Sequence, residues 1–379
     1  MKHMGIKKAC HMTSVHFADD SRILHREVVS LANNGWDATV VGVYSKETVY
    51  KGVKIKAVPQ IKNRIFRMTW QVLKVLIKAW RTNADIYHFH DIELIPAGLV
   101  LKKLKRAKVI YDVHEDHNLM IHKTYIPFRL RKFAARVVNF IENFCAGRLD
   151  AVVTPTEPIT KRFSVIAPKA VTLYNFPTQE FMEMADRHLI SPEFSDIDVV
   201  HIGTLRQSRL EFFLQVALQV QKKLGPKRWT FIGMPKSLMP FAEMRVGELA
   251  LEGIEIIHRK SWLELPETIC RGKIGVNFHK LGEAHTEVAI PVKIFEYLAC
   301  GLPTVSTSLK LVSQLLNDIP AVSLVSDNLS DYTESVIKLL TDPELSQKSE
   351  FAYQSARLKY SWEVEEKKLL ELYEDILRN

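Results

Sequence analysis

The chain is poor in the features that mark secreted, membrane-spanning or covalently catalytic proteins. Its 379 residues hold only four cysteines, Cys10, Cys145, Cys270 and Cys300, and no two make a CxxC pair. Scattered thiols of this kind argue against a disulfide frame and fit reduced core residues in a cytosol. No apolar run approaches the ~20 residues that a bilayer-spanning helix needs. The opening MKHMGIKKACHMTSV has no apolar signal-peptide core. A cytoplasmic protein is therefore expected. There is no internal repeat, no low-complexity segment and no GxSxG elbow. No serine or thiol stands in a nucleophile's context, so covalent catalysis is not expected.

What is present is ordinary globular material, 47% hydrophobic and 25% charged, at a length that suits two domains with separate cores. Strand-like runs alternate with helical patterns. KACHMTSV, ATVVGV, ADIYHFH, KVIYDVH, LDAVVTPT and AVTLYN come first. DVVHIGT, WTFIG, IEIIH, KIGVNFH, PTVST and AVSLV follow after an irregular, polar stretch at 178–196. This alternation predicts α/β architecture: two doubly wound, Rossmann-like parallel domains, residues 1–180 and 197–358. An amphipathic helix over 359–379 ends the chain. Ligands of such sheets gather at the strands' carboxyl ends, here a cleft between the halves.

Charge is unevenly divided. Residues 1–180 carry 29 Lys and Arg against 15 Asp and Glu, and residues 181–379 carry 23 against 28. The excess concentrates at 62–81, 102–108 and 123–136, where the first and third segments add Trp, Phe and Leu at helical spacing. That mixture suits an anionic membrane face. A solvated lysine-rich surface is the plainer reading, and nucleic acid is not the expected partner.

Pro291-Val-Lys-Ile-Phe-Glu-Tyr-Leu-Ala-Cys-Gly-Leu-Pro-Thr304 reads as a short helix, Pro291 at its start and Gly301 past its end, before a β-branched strand. Lys293 and Glu296 are near neighbours on it. The helix start and Lys293 suit a phosphate, and the acceptor-only carboxylate of Glu296 suits ribose hydroxyls. An ordinary capped helix with a solvated Lys and Glu is the alternative. HIGTLRQSRLEFF (201–213) reads as a strand, a turn at Gly203 and a helix from near Ser208, with Arg206 and Arg209 placed for phosphate oxygens. It is neither a GxGxxG nor a P-loop pattern.

In the first half, YHFHDIEL and YDVHEDHN put His88, His90, Asp91, Glu93, Asp112, His114, Glu115, Asp116 and His117 at strand ends. Sugar-hydroxyl binding, proton management, structural hydrogen bonding and metal ligation are all open to such residues. They form no recognisable ligand set, and no metal is expected. Asp196-Ile-Asp198 matches a DxD motif in letters only, because it precedes a strand instead of ending one.

Taken together these segments resemble the GT-B glycosyltransferases, specifically the retaining family 4 used for bacterial surface polysaccharides. HFADDSRILHREVVSLANNGWDATVVG is similar to that group's opening, HDIELIPAGLVLKK and VIYDVHED to its middle, and PVKIFEYLACGLPTV to its donor-site helix. The resemblance implies that the second domain binds a nucleotide sugar, UDP being the commonest base, and that the first takes a lipid-linked or saccharide acceptor. It implies a terminal helix that crosses back to the first domain, no metal and no resident cofactor. Glu296 matches the second glutamate of an E-x7-E motif. Val288 stands where the first belongs, and Glu287 lies one residue away. Arg209 matches the family's diphosphate contact, and His114 its histidine near the reacting carbon. A nucleotide-sugar epimerase and a non-catalytic binder on the same fold are the rivals.

Overall fold

The computed structural model describes residues 6–114, 128–258 and 260–378. The chain divides into two compact units, Met1–Asn175 with Trp362–Asn379, and Phe176–Ser361. The first contains β1 (Lys8–Phe17), β2 (Asp37–Val43), β3 (Thr48–Tyr50), β4 (Val53–Val58), β5 (Ile86–Phe89), β6 (Lys108–Asp112), β7 (Ala151–Thr154) and β8 (Ala170–Thr172). They lie in the order β3-β4-β2-β1-β5-β6-β7-β8. Every pair is parallel except β3–β4, an edge hairpin turned at Lys51-Gly52, both in positive φ. The sequence pattern did not reveal this hairpin. The edge strand β3 has three residues, none of them buried, and Lys51, Lys54 and Lys56 lie in the turn and β4 beside it, as befits an exposed edge.

The second unit has β9 (Ile197–Ile202), β10 (Trp229–Ile232), β11 (Ile254–Ile257), β12 (Gly272–Asn277), β13 (Thr304–Thr307) and β14 (Val322–Val325). Their order is β11-β10-β9-β12-β13-β14, and all are parallel. Parallel neighbours require helical crossovers, which is why strand and helix patterns alternate along the chain. Strand order reverses between β1 and β5 in one sheet and between β9 and β12 in the other. These reversals are the places where an open α/β sheet leaves a crevice.

Each sheet is covered on both faces, so its inner strands are buried on both sides. Ile86, Tyr87, His88 and Phe89 of β5 are all buried. One face of the first sheet packs Val75, Ala79, Leu94 and Leu101 from its helices. The other packs Ile23, Val28 and Leu31 together with Trp362, Leu369, Leu372, Tyr373 and Ile376. The last five come from the terminal helix, Trp362–Arg378, which thus belongs to the first unit. Its Trp362 Nε1–H donates to Ser30 Oγ at 2.8 Å.

Residues 178–196 are not irregular throughout. Thr178 caps a helix at Gln179–Asp186, its Oγ1 accepting from the Phe181 amide at 3.2 Å. Phe181, Met182 and Ala185 form the buried stripe. The interleaved Glu180, Glu183 and Asp186 obscured this period in the sequence.

Candidate functional site

In the second unit the carboxyl end of β9 leads to Gly203, whose φ of +92° continues the chain toward the helix Gln207–Leu224. Gly203 backs onto Gly233, which follows β10. A Cβ on Gly233 would lie 3.0 Å from the Gly203 carbonyl carbon, so two main chains approach here as only glycine allows. Arg206 is the N-cap residue of the helix and Arg209 its third residue. The Pro291 segment is also placed as expected, with Pro291 as N-cap of the helix Val292–Ala299. Tyr297 fastens that helix to the sheet. Its hydroxyl accepts from the Ile202 amide at 2.9 Å and donates to the Val276 carbonyl at 3.2 Å.

These placements gather positive charge. Lys293 Nζ lies 3.2 Å from His201 Nε2, and Arg209 Nη2 lies 3.4 Å from His279 Nδ1. Burial, with Arg209 as the next cause, pulls the Lys293 amine down to about 7. Burial also lowers His201 well below the usual imidazole range, with help from Lys293 and Arg209, so that His201 is neutral. Arg209 is lowered by burial and by Arg206, and only Glu283 opposes this. A group of cations that suppress one another's charge is built for an anion. Beside it lies a cavity of about 540 Å³, lined by Gly203, Thr204, Gly233, Met234, Pro235, His258 and Lys260. That size suits a small organic ligand.

Glu296 is buried on the same helix, and Trp262 Nε1–H donates to its Oε1 at 2.8 Å. Glu287 is half-buried in the segment leading to Pro291, its amide bonded to the Glu283 carbonyl at 3.3 Å. Asp196 and Asp198 lie at the amino end of β9, paired with Arg271 and Lys273, away from these groups. Sequence reasoning missed His201, His279 and Trp262. His201 opens the HIGTLRQSR segment, which drew attention only to Gly203 and its arginines, and His279 ends the KIGVNFH strand run.

In the first unit the strand-end histidines are brought together around Asp112. Arg22 grips this carboxylate with Nε at 2.7 Å and Nη2 at 2.9 Å, while His90 Nδ1 is at 3.0 Å and His114 Nε2 at 3.3 Å. Arg22 opens the helical stretch 23–33, whose first turn is wound wide, the Glu27 amide bonding to the Arg22 carbonyl five residues back. In an ordinary helix these residues would point roughly 140° apart. The wide turn brings both inward, and Arg22 Nε lies 3.2 Å from Glu27 Oε1. Despite its burial, Asp112 is held well below the carboxylate range by Arg22 and His114. Glu27 is pushed well above that range by burial and by Asp112.

One carboxylate then fixes a whole chain of protons. Burial keeps His11, His88 and His90 neutral. Asp112 only accepts, so His90 carries its proton on Nδ1 and offers a bare Nε2. His11 Nδ1 lies 2.9 Å from that Nε2 and must donate to it. His11 Nε2 then accepts from the Tyr373 hydroxyl at 2.9 Å. Tyr373, its one proton committed, accepts from His88 Nδ1–H at 2.9 Å. The last atom, His88 Nε2, is buried without a hydrogen-bond partner. His114 sits at the outer end of this chain, raised by Asp112 against its burial and in contact with the His16 ring at 4.4 Å.

Glu27, His88, His90 and Asp112 bring potential ligand atoms within 4.8 Å of one another. The cation that faces the two carboxylates is Arg22. Asp91 is spent on the irregular second half of β1, accepting from the Ser14 and Val15 amides at 2.6 and 3.1 Å. Glu93 is paired with Arg67 at 2.8 Å. Glu115, Asp116 and His117 lie outside the described residues. His11, Glu27 and Tyr373 were not foreseen; a polar residue inside an otherwise apolar run was the one available signal for the first two.

Two family models match successive parts of the chain: Glycosyltransferase Family 4 over residues 21–176 and Glycosyl transferases group 1 over residues 196–342. Among curated proteins, the chitobiosyldiphosphodolichol beta-mannosyltransferase of Candida albicans is 21% identical over 75% of this chain and 66% of its own length. That of Yarrowia lipolytica is 24% identical over 70% and 63%. The chain thus spans slightly under two thirds of the length of these relatives. Sucrose-phosphate synthase from Thermosynechococcus elongatus shares the fold with a TM-score of 0.73 at 12% identity, covering 98% of this chain and 99% of its own. Anabaena HepE, solved with UDP and glucose, does so with a TM-score of 0.69 at 11% identity, covering 97% and 100%. Two parallel Rossmann-like sheets, a terminal helix returned to the first unit, and the likeness to solved structures lead to one assignment: the chain has the GT-B fold, its first unit matching the Glycosyltransferase Family 4 model and its second the Glycosyl transferases group 1 model.

Proposed function

We propose that the chain is a glycosyltransferase whose second unit holds a nucleotide sugar, a UDP-sugar in the first instance, and whose first unit takes a lipid-linked or saccharide acceptor of surface-glycan synthesis. The observation that carries this reading is the convergence of Arg206, Arg209 and Lys293 beside the cavity at Gly203 and Gly233. Arg209 and Lys293 would stabilise charge on the departing diphosphate, which makes them electrostatic catalysts, poised before the reaction begins. Glu296 would take ribose hydroxyls, with Glu287 on the neighbouring segment as the substitute for the missing first glutamate. His114, raised by Asp112 against its burial, would offer an N–H to a sugar hydroxyl. Retention at the anomeric carbon follows the family resemblance. The UDP complexes of HepE and the dolichol-linked substrate named for the fungal relatives agree with donor and acceptor classes.

The test is a thermal-shift screen with UDP, GDP and their sugars, followed by turnover with a lipid-linked acceptor. A specific nucleotide should raise the melting point. Arg209→Ala should lower kcat about a hundredfold without changing the melting point of the free protein. Full activity in Arg209→Ala and Glu296→Ala would overturn the donor site, and an interconverted sugar without acceptor would mark an epimerase.

The acceptor reading is supported by the outer surface of the first unit. The helices Val72–Trp80, Ile95–Lys105 and Phe128–Ala146 contact one another in sequence over one face of its sheet. They and the turn before them expose Trp70 (56%), Phe133 (67%) and Phe140 (69%) among basic residues. Trp80 instead packs inward, with Lys105 over its ring at 4.5 Å. Among the described residues no helix is long and apolar enough to cross a membrane. Peripheral docking on an anionic, cytoplasmic leaflet fits this surface. Sedimentation with phosphatidylserine vesicles should exceed that with phosphatidylcholine alone, and Trp70→Glu with Phe140→Glu should reduce it about tenfold or more. Equal sedimentation of variant and parent would refute the docking face.

A further inference from the structure

We infer that Trp262 is a positioning residue for ribose recognition, which sets the direction of the Glu296 carboxylate before any nucleotide arrives. The inference rests on the donor-site reading above and adds a residue that no family motif supplies. Glu296 is buried, and a buried carboxylate needs a donor. Lys293, three residues earlier on the same helix, is the partner that sequence spacing offers. The structure supplies another, the Trp262 indole N–H at 2.8 Å from Oε1. Indole nitrogen can only donate, so this bond can form in one sense alone. It commits Oε1 to the indole and so orients the carboxylate against Trp262. The attraction of Glu296 ranks last among the causes acting on Lys293, behind burial and Arg209, and the amine stays near neutrality. Ribose grip and phosphate grip are thereby kept as separate functions on one short helix.

Trp262 is itself held rigidly. It opens a turn, Trp262–Glu264, closed by a capping box in which the Ser261 amide donates to Glu264 Oε2 at 2.9 Å. Its ring lies on Phe181 at 5.1 Å. Lys260 donates to Thr268 Oγ1 at 2.6 Å on the other side of the turn. Phe181 comes from the helix Gln179–Asp186, so the segment that looked irregular in sequence buttresses the ribose site.

The experiment is a ligand-deletion cycle on the full chain, by calorimetry. The probe is UDP or GDP, whichever raises the melting point, and its 2′,3′-dideoxy analogue. Wild type should bind the dideoxy nucleotide about tenfold more weakly than the parent. In Trp262→Phe this penalty should shrink to about twofold, with most of the loss in the affinity of the parent nucleotide. Replacing Trp262 with benzothienylalanine, which keeps the ring shape and removes the N–H, should do the same and guards against misfolding of the phenylalanine variant. Glu296→Gln separates the failures. If its penalty stays tenfold, the ribose role of Glu296 is wrong. If Glu296→Gln loses the penalty while both Trp262 replacements keep it, the positioning role is wrong and the donor site stands. Binding of neither nucleotide to wild type would remove both.

Discussion

Replacing Asp112 with Asn should destabilise the first unit by about 3–5 kcal/mol, the cost of leaving a buried charge without its partner. Asparagine preserves the volume but removes the charge that Arg22 grips through two bonds, at a side-chain exposure of 5% for the arginine and 0% for the aspartate. It also turns one acceptor into a donor opposite His90 and His114. The melting transition of the first unit should fall by roughly 10 °C or more. The pH dependence has a definite sign. The folded pKa of Asp112 is depressed, so its contribution is complete above the ordinary carboxylate range and is lost as pH falls through the depressed value. Wild type and variant should therefore converge in strong acid. His114 works the other way: its raised pKa adds stability below its ordinary 6.5, and that part fades as pH rises through the raised value. Thermal and urea unfolding of the full chain measures both. A melting point within 2 °C of wild type at neutral pH, no more than the shift that about 1 kcal/mol would produce, would show that Asp112 is not the centre of the network.

Nucleotide-sugar affinity should weaken about tenfold per pH unit above 7, through one proton on Lys293. The free amine is lowered to about 7 by burial and by Arg209. A bound diphosphate favours the ammonium, so binding takes up a proton wherever the free enzyme has lost it. Below pH 7 the lysine is already charged and affinity is flat. Above pH 7 each binding event must first protonate it. A sugar diphosphate diester is the proper probe, since a terminal phosphate titrates near pH 6 and would confuse the slope. Calorimetry in buffers of different ionisation enthalpy should count about one proton taken up at pH 8 and almost none at pH 6. Lys293→Met should lose about a hundredfold in affinity at pH 6, as a buried charge-assisted contact is worth, and should flatten the profile. A sloping profile in Lys293→Met would move the titration to another group.

Much of this arrangement is legible in the chain itself. All twelve strand runs recognised by their β-branched residues are strands, because residues buried on both faces leave continuous apolar runs in parallel sheets. Pro291, Gly203 and the helix starts after them were readable for the same local reason: backbone conformation constrains residue type within a few positions. The hairpin of β3 and β4 was not, since β3 has only three residues, none buried, and β4 interleaves Lys54 and Lys56 with its buried Val53, Ile55 and Val58. The helix Gln179–Asp186 was hidden by acidic residues on its outer side.

The site divides along the same line. Local sequence determined that Arg206, Arg209 and Lys293 stand at helix starts and that Glu296 follows three residues after Lys293 on the same helix. It also placed His88, His90 and His114 at the corresponding edge of the first sheet. What the tertiary structure alone decided is the state of these groups. Lys293 is lowered to about 7 by burial and by Arg209, which stands 84 residues earlier in the chain. The proton order of the interior histidines runs from Asp112 to Tyr373, a residue of the last helix. The Glu296 carboxylate accepts from the indole N–H of Trp262, 34 residues earlier in the chain. Conformational preference acts over a few residues and leaves its mark in sequence. Charge, desolvation and hydrogen-bond direction act through space, and are settled only when distant segments meet in a dry interior.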